Sequence, residues 1–445
     1  MPQGPIWIAT REGQDWLDEY VLAAIDWLTS MVPAADWEAR MSRVRAIFAP
    51  ARSQWPSGAR PPLYDPSDLI AWYVFQANAY ASDRANLVEQ EAYRIAPVFR
   101  RLGQLLPSLK RVIGVEDRVR RMMIDNRAVP DDALYELLVA GAYASRGWSS
   151  VQFVPEDSTR RTPDLHVSHE GIEWAVECTR TGRSDYMAQE RAAGDRLAQL
   201  ALEEAECRET SISVEVIFEA ELANLPDRYL ADRVATFLEG GSGEWRDESG
   251  HGRIERSDLR SLRAVLRHDD IMFGASRMIE LLMGQYMHEV DYRMAGAWTP
   301  APGRPFHATA VARASVVGWV STSEEAARRK ATHFRALVAD KSGQLNDRPG
   351  VLHVGYETTG GNAVEGLRHQ FNLEQMKTFE PRGSTLEWVY GNYMLPEHVT
   401  ARMESTALTE TTAVYPIKGH QNPQPLPNHM LFLDDEGTPG HHFRR

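Results

Sequence analysis

Residues 161–180 read RTPDLHVSHEGIEWAVECTR, and the acidic residues in this stretch decide how the chain is read. Two short strands are expected, joined by a hairpin turn at Glu170-Gly171. Asp164 opens the first strand directly after Pro163, and Glu177 follows the apolar run Trp174-Ala175-Val176 in the second. An ionised carboxylate buried beside an aromatic and a branched aliphatic side chain is costly unless it is paired or bound to a metal. The second strand is therefore expected to deliver Glu177 to a site, with Asp164 as its companion.

Upstream, Pro130 followed by DDALYELLVAGAYASRG has the signals of a helix: Pro and two Asp at its start and Gly147 at its end. Leu134, Leu137, Leu138 and Gly141 form one face, and Val139, Ala140 and Tyr143 make the opposite face apolar too, so burial on both sides is expected. Glu136 lies in the middle of this helix and needs a partner. WSSVQFVPE (148–156) reads as a strand that leads into the hairpin.

Residues 1–127 read as an all-helical region rich in aromatics, with Trp16, Tyr20, Ala23, Ala24, Trp27 and Leu28 at steps of three and four. A loop is expected over 49–65, where Pro50, Pro56, Gly58, Pro61 and Pro62 cluster, and Pro97 interrupts a helical stretch over 89–106. The basic run from Arg100 to Arg121, which includes Arg118, reads as a solvated helix face. Beyond the hairpin, 185–206 reads as a charged helix and SISVEVIFEAEL from Ser211 as a half-exposed strand. Residues 225–296 read as a helical insertion, with 239–252 as a mobile loop. ASVVGWVS, GVLHVGYE and LEWVYGNYML are expected strands, separated by helices over 323–345 and 362–379. Strands alternating with helices imply a mixed α/β sheet covered on both faces. The expected layout is an all-helical N-terminal domain over 1–127, an α/β domain over 128–415 with the helical insertion at 225–296, and a Pro-rich tail over 416–445 that drapes over the surface.

Composition narrows the function classes. The chain has 445 residues, 43% apolar and 25% charged, as in an ordinary globular protein. No apolar stretch is long enough for a membrane span, and the first residues lack a signal-peptide pattern, so a cytoplasmic location without membrane contact is expected. Two cysteines, Cys178 and Cys207, exclude a disulfide framework or a cysteine-rich zinc site. The formal net charge of −13 argues against indiscriminate nucleic-acid binding but leaves room for a local basic groove. No phosphate-loop, Gly-x-Ser-x-Gly or His-Glu-x-x-His element occurs, and His166 and His169 read as surface residues.

The order of a helix carrying Glu136, a strand, Pro163-Asp164, a hairpin, and Val176-Glu177-Cys178-Thr179-Arg180 resembles the PD-(D/E)XK nuclease superfamily, the restriction-endonuclease-like fold. The likeness covers roughly residues 130–222, and more loosely 323–357. It implies that Asp164, Glu177 and Glu136 bind one or two divalent metals, Mg²⁺ or Mn²⁺, joined by the Cys178 backbone carbonyl. It also implies a hydrolase of phosphodiester bonds in DNA, placed in restriction or defence against foreign DNA. Expected partners are nucleic acid, a second copy of the chain, or a partner protein of a defence system.

One position departs from the pattern: Thr179 stands where the family has its lysine. A cation at that point lowers the pKa of the attacking water and neutralises transition-state charge, and threonine does neither. Arg180 is the nearest substitute, but strand alternation turns residues 177 and 179 to one side and 180 to the other. Arg183, Gln189, Lys330 and Lys341 are candidates from neighbouring elements. The alternative reading is a catalytically inactive member of the same fold, acting as a nucleic-acid-binding or protein-interaction module.

Overall fold

In a computed structural model, the chain is described over residues 18–54, 61–155, 161–181, 185–287, 290–345, 347–357, 362–381, 383–399, 405–427 and 429–432. Five helices come first: α1 (Glu19–Thr29), α2 (Ala34–Gln54), α3 (Leu69–Ser82), α4 (Glu89–Leu109) and α5 (Val115–Ile124). Asp18 caps α1 by accepting the Val21 N–H at 3.2 Å. Two prolines expected to break helices do not do so, since Pro50 lies inside α2 and Pro97 inside α4, which also contains Pro107. A helix-interior proline costs about 3 kcal/mol, and burial of Val98, Phe99, Leu102 and Leu105 along α4 offsets that.

Next come α6 (Asp131–Ser145), β1 (Ser150–Phe153), β2 (Leu165–His169) and β3 (Ile172–Thr181). The β2–β3 turn uses Glu170 and Gly171 at φ of 51° and 81°, the left-handed pair of a two-residue hairpin turn. The chain then leaves this sheet through α7 (Asp185–Cys207) and builds a second one. That unit contains β4 (Ile212–Phe218), α8 (Tyr229–Leu238), β5 (Glu244–Asp247), β6 (Gly250–Arg256), α9 (Arg260–Val265), β7 (Ile271–Met272), α10 (Ser276–Met283), β8 (Asp291–Ala301) and β9 (Arg304–Ser321). Its strand order is β5-β6-β4-β9-β7, with β8 also paired to β9. The alternation Ile212, Val214, Val216, Phe218 buries one side of β4 against α7 and α8.

The chain returns through α11 (Glu324–Ser342), β10 (Gly350–Glu357), α12 (Asn362–Lys377), β11 (Leu386–Val399) and β12 (Ser405–Pro416). The first sheet has the order β1-β2-β3-β10-β11-β12. β3, β10 and β11 run parallel, while β1, β2 and β12 are antiparallel to their neighbours. One face packs on the N-terminal helices and α6 through Trp174, Val176, Val351 and Tyr390. The opposite face packs on α11 and α12 through Ala175, Leu352, Val354 and Val389, which meet Phe334, Val338 and Met376.

The class is therefore mixed α/β with two mixed sheets, and four expectations of layout need correction. Helices α1–α5 share one continuous apolar core with α6 and β1–β3 rather than standing apart. The segment between β3 and α11 is a second sheet with its own helices, not a helical insertion over 225–296. The expected mobile loop over 239–252 holds β5 and the start of β6. Cross-strand pairing partners far apart in sequence decide this, and local periodicity does not report them. Finally, the segment after Pro416 does not simply drape over the surface: Leu426, Leu431 and Phe432 are buried in the main core.

Candidate functional site

Asp164 lies where β2 begins beside β3, with Glu177 on one side of it and Glu136 on the other. Leu165 pairs with Val176, so Asp164 falls beside the Glu177-Cys178 peptide, and its Oδ2 accepts the Cys178 N–H at 2.8 Å. The N–H and C=O of one strand residue point the same way. The Cys178 carbonyl therefore points to the side that Asp164 occupies.

Alternation along β3 separates the other two carboxylates. Trp174, Val176 and Cys178 face α6, while Ala175 faces α11, which places Glu177 and Thr179 on the α11 side. Glu136 reaches the site from α6 on the opposite face. Asp164 is thus the shared neighbour: after burial, its charge is what most raises both Glu136 and Glu177.

The electrostatics are severe. Burial and the neighbouring Asp164 carboxylate push Glu177 up to about 9 and Glu136 up to about 8. Burial also raises Asp164, which lies within hydrogen-bonding reach of Glu177. Burial and the neighbouring carboxylate both favour the protonated form of Glu177. Glu136 Oε2 and Glu177 Oε2 are buried with no hydrogen-bond donor.

Cations approach from both sides. Arg118 on α5 pairs with Glu136 Oε1, and its Nη2 lies 3.7 Å from Asp164 Oδ1. On the α11 side, Lys341 Nζ lies 3.3 Å from Glu177 Oε1, and Gln344 Nε2 donates to the same oxygen at 2.7 Å. Burial pulls Lys341 down, but Glu177, Asp164 and Asp132 overcome it and hold Lys341 above its ordinary value. Burial raises the Cys178 thiol, so its part in the site is that of a backbone group and not of a thiolate.

The candidates for the missing lysine now separate. Arg180 turns away, as alternation requires, and pairs with Asp131 at 2.9 Å. Lys330 pairs with Glu190 at 2.8 Å, and Gln189 is exposed on α7. Arg183 lies outside the described residues. Lys341 alone of this set is seen to touch a site carboxylate, and it does so on the side of β3 where Thr179 is buried.

Sequence reasoning missed Arg118, which was read as part of a solvated basic face. The signal was present: Val115, Val119, Met122 and Met123 form the buried side of α5, and Arg118 is three residues from Val115 and four from Met122. An arginine bordering a buried helix face has a buried acid to meet.

Among the described residues, no three His, Cys, Asp or Glu side chains are grouped so as to hold a metal ion. The set that fits a hard divalent cation is smaller: the Asp164 and Glu177 carboxylates, the latter with a donor-free oxygen, and the Cys178 carbonyl. Glu136 is engaged by Arg118. No helix among the described residues is long and apolar enough to cross a membrane. No family model, no curated protein and no solved structure matches the chain.

Proposed function

We propose that the chain is a divalent-metal-dependent nuclease of the PD-(D/E)XK type that hydrolyses phosphodiester bonds in DNA, with restriction or anti-phage defence as its setting. The observation that carries this reading is the contact of Lys341 Nζ with Glu177 on the Thr179 side of β3. It supplies a cation next to the paired carboxylates, where the lysine of the sequence motif is missing. Asp164 and Glu177 would hold Mg²⁺ or Mn²⁺ with the Cys178 carbonyl. Bound there, the ion would acidify water and stabilise charge on a phosphoryl oxygen.

The chain's own residues do the rest. Asp164 is oriented by the Cys178 N–H, and Gln344 fixes the rotamer of Glu177. Lys341 is placed to neutralise charge developing on the phosphate and to orient the attacking water. Glu136 sits behind Asp164, whose charge, after burial, raises the proton affinity of Glu136. The test is incubation of the purified chain with MgCl₂ or MnCl₂ and plasmid, linear and single-stranded DNA. Metal-dependent cleavage that disappears in Asp164→Ala is expected; intact substrates, or equal cleavage by the variant, refute the reading.

A second reading has its own support. Arg118 and Lys341 already compensate the carboxylates, as they would in a catalytically inactive domain that binds nucleic acid or protein. Calorimetry with MnCl₂ separates the two, because an inactive site shows no binding that depends on Glu177.

A further inference from the structure

Arg118 Nη2 contacts Glu136 and stands 3.7 Å from Asp164, so one guanidinium touches two of the three carboxylates named for the site. Its helix is not loosely attached. Ile113, just before α5, donates to Val151 O at 3.1 Å and accepts from Phe153 N at 2.9 Å, which clamps the start of α5 to the edge strand β1. The buried side of α5, from Val115 to Met123, holds the rest of the helix in the main core. Arg118 is therefore a tethered cation at a fixed place in the sheet's acidic corner, with its side chain only 16% exposed.

We infer that Arg118 occupies the Glu136–Asp164 side of this corner in place of a divalent ion, so that metal loading and the Arg118 contact exclude one another. The inference rests on the metal-dependent reading above. A guanidinium spreads one positive charge over a planar fork, whereas a divalent ion places two charges on a point. Both cannot be held by the same carboxylate oxygens within a few ångströms, because their repulsion in a buried setting is large. The N-terminal helices thereby set how readily the site fills, because α5 holds the competing Arg118 charge against Glu136 and Asp164.

The experiment is calorimetric titration of the full chain with MnCl₂, comparing the wild type, Arg118→Gln, and Glu177→Gln as the site control. Removal of a unit charge at this distance is expected to tighten Mn²⁺ binding at least about tenfold, while Glu177→Gln abolishes it. Equal affinity in the wild type and Arg118→Gln overturns the inference and leaves the metal reading standing. Absence of Glu177-dependent binding in both proteins overturns the metal reading and this inference with it.

A second measurement needs no substitution. Hydrogen exchange of the wild-type chain over Val115–Ile124 is expected to speed up when MnCl₂ fills the site, because the Arg118 contacts with Glu136 and Asp164 are released. Mn²⁺ binding that leaves α5 exchange unchanged overturns the inference even if Arg118→Gln fails to fold.

Discussion

Lys341 Nζ lies 3.3 Å from Glu177 Oε1, although the two residues are 164 positions apart and belong to a helix and a strand on either side of the second sheet in chain order. Gln344, three residues on along the same stretch, donates to the same oxygen at 2.7 Å. The α11 side of β3 thus supplies both the charge and the hydrogen bond that a lysine at position 179 would have brought from within the strand.

On the proposed nuclease reading, that relationship makes Lys341 the residue whose loss tells most about catalysis. Lys341→Met is expected to lower DNA cleavage about a hundredfold or more, the size seen when one positioned electrostatic group is removed. Thr179→Lys placed in the Lys341→Met background is expected to recover part of the activity, since residue 179 shares the α11 side with Glu177. Cleavage by Lys341→Met at the wild-type rate would remove Lys341 from the mechanism.

Glu177 also dictates how stability depends on pH. Its folded-state pKa is raised from 4.5 to about 9, chiefly by burial and then by Asp164. Between those values the folded chain keeps a proton that the unfolded chain has released, so the contribution of Glu177 to stability is full below 4.5 and is lost as pH rises through about 9. Glu177→Gln keeps the shape, can donate to Asp164, and carries no ionisable proton. Its stability, read as the thermal melting point, is therefore expected to gain on the wild type steadily from about pH 5 to about pH 9, by about 1.4 kcal/mol per pH unit. A melting difference that does not change with pH would mean that Glu177 is not held protonated.

The hairpin and its carboxylates were legible because the cues are local. Glu170-Gly171 is a turn whose two residues both need positive φ, and Glu177 is a charge inside an apolar strand. Alternation alone correctly turned Arg180 away from Glu177. Lys341 was visible only as one of several candidates, since its approach depends on how α11 packs on β3. Arg118 was misread because seven basic residues in one run resemble a solvated face, and only the helical phase of Val115, Val119 and Met122 sets it apart. The second sheet was missed for a related reason. SISVEVIF was read as a strand, but its partners β6 and β9 lie beyond the reach of any local pattern.

The C-terminal segment gives the last prediction. Glu410 on β12 is fully buried, and its carboxylate accepts the Leu431 N–H at 2.9 and 3.0 Å, the Phe432 N–H at 3.0 Å and Asn392 Nδ2 at 2.8 Å. Burial raises its carboxyl, and these donors act against that rise. Arg101 Nε donates to Leu431 O at 2.7 Å, and the Leu426 N–H donates to Tyr390 Oη at 3.1 Å, so the strap is tied at several points along its length. A Pro-rich stretch with few side-chain contacts would hang free, but a buried acid facing two consecutive backbone N–H groups fixes it in the core. Glu410→Ala leaves those buried donors unsatisfied, at about 1–3 kcal/mol each. It is expected to lower the melting point clearly and to open residues 417–432 to limited proteolysis, read by mass spectrometry of the cut chain. If Glu410→Ala melts like the wild type and resists protease equally, the strap is held by its apolar contacts through Leu426, Leu431 and Phe432 alone.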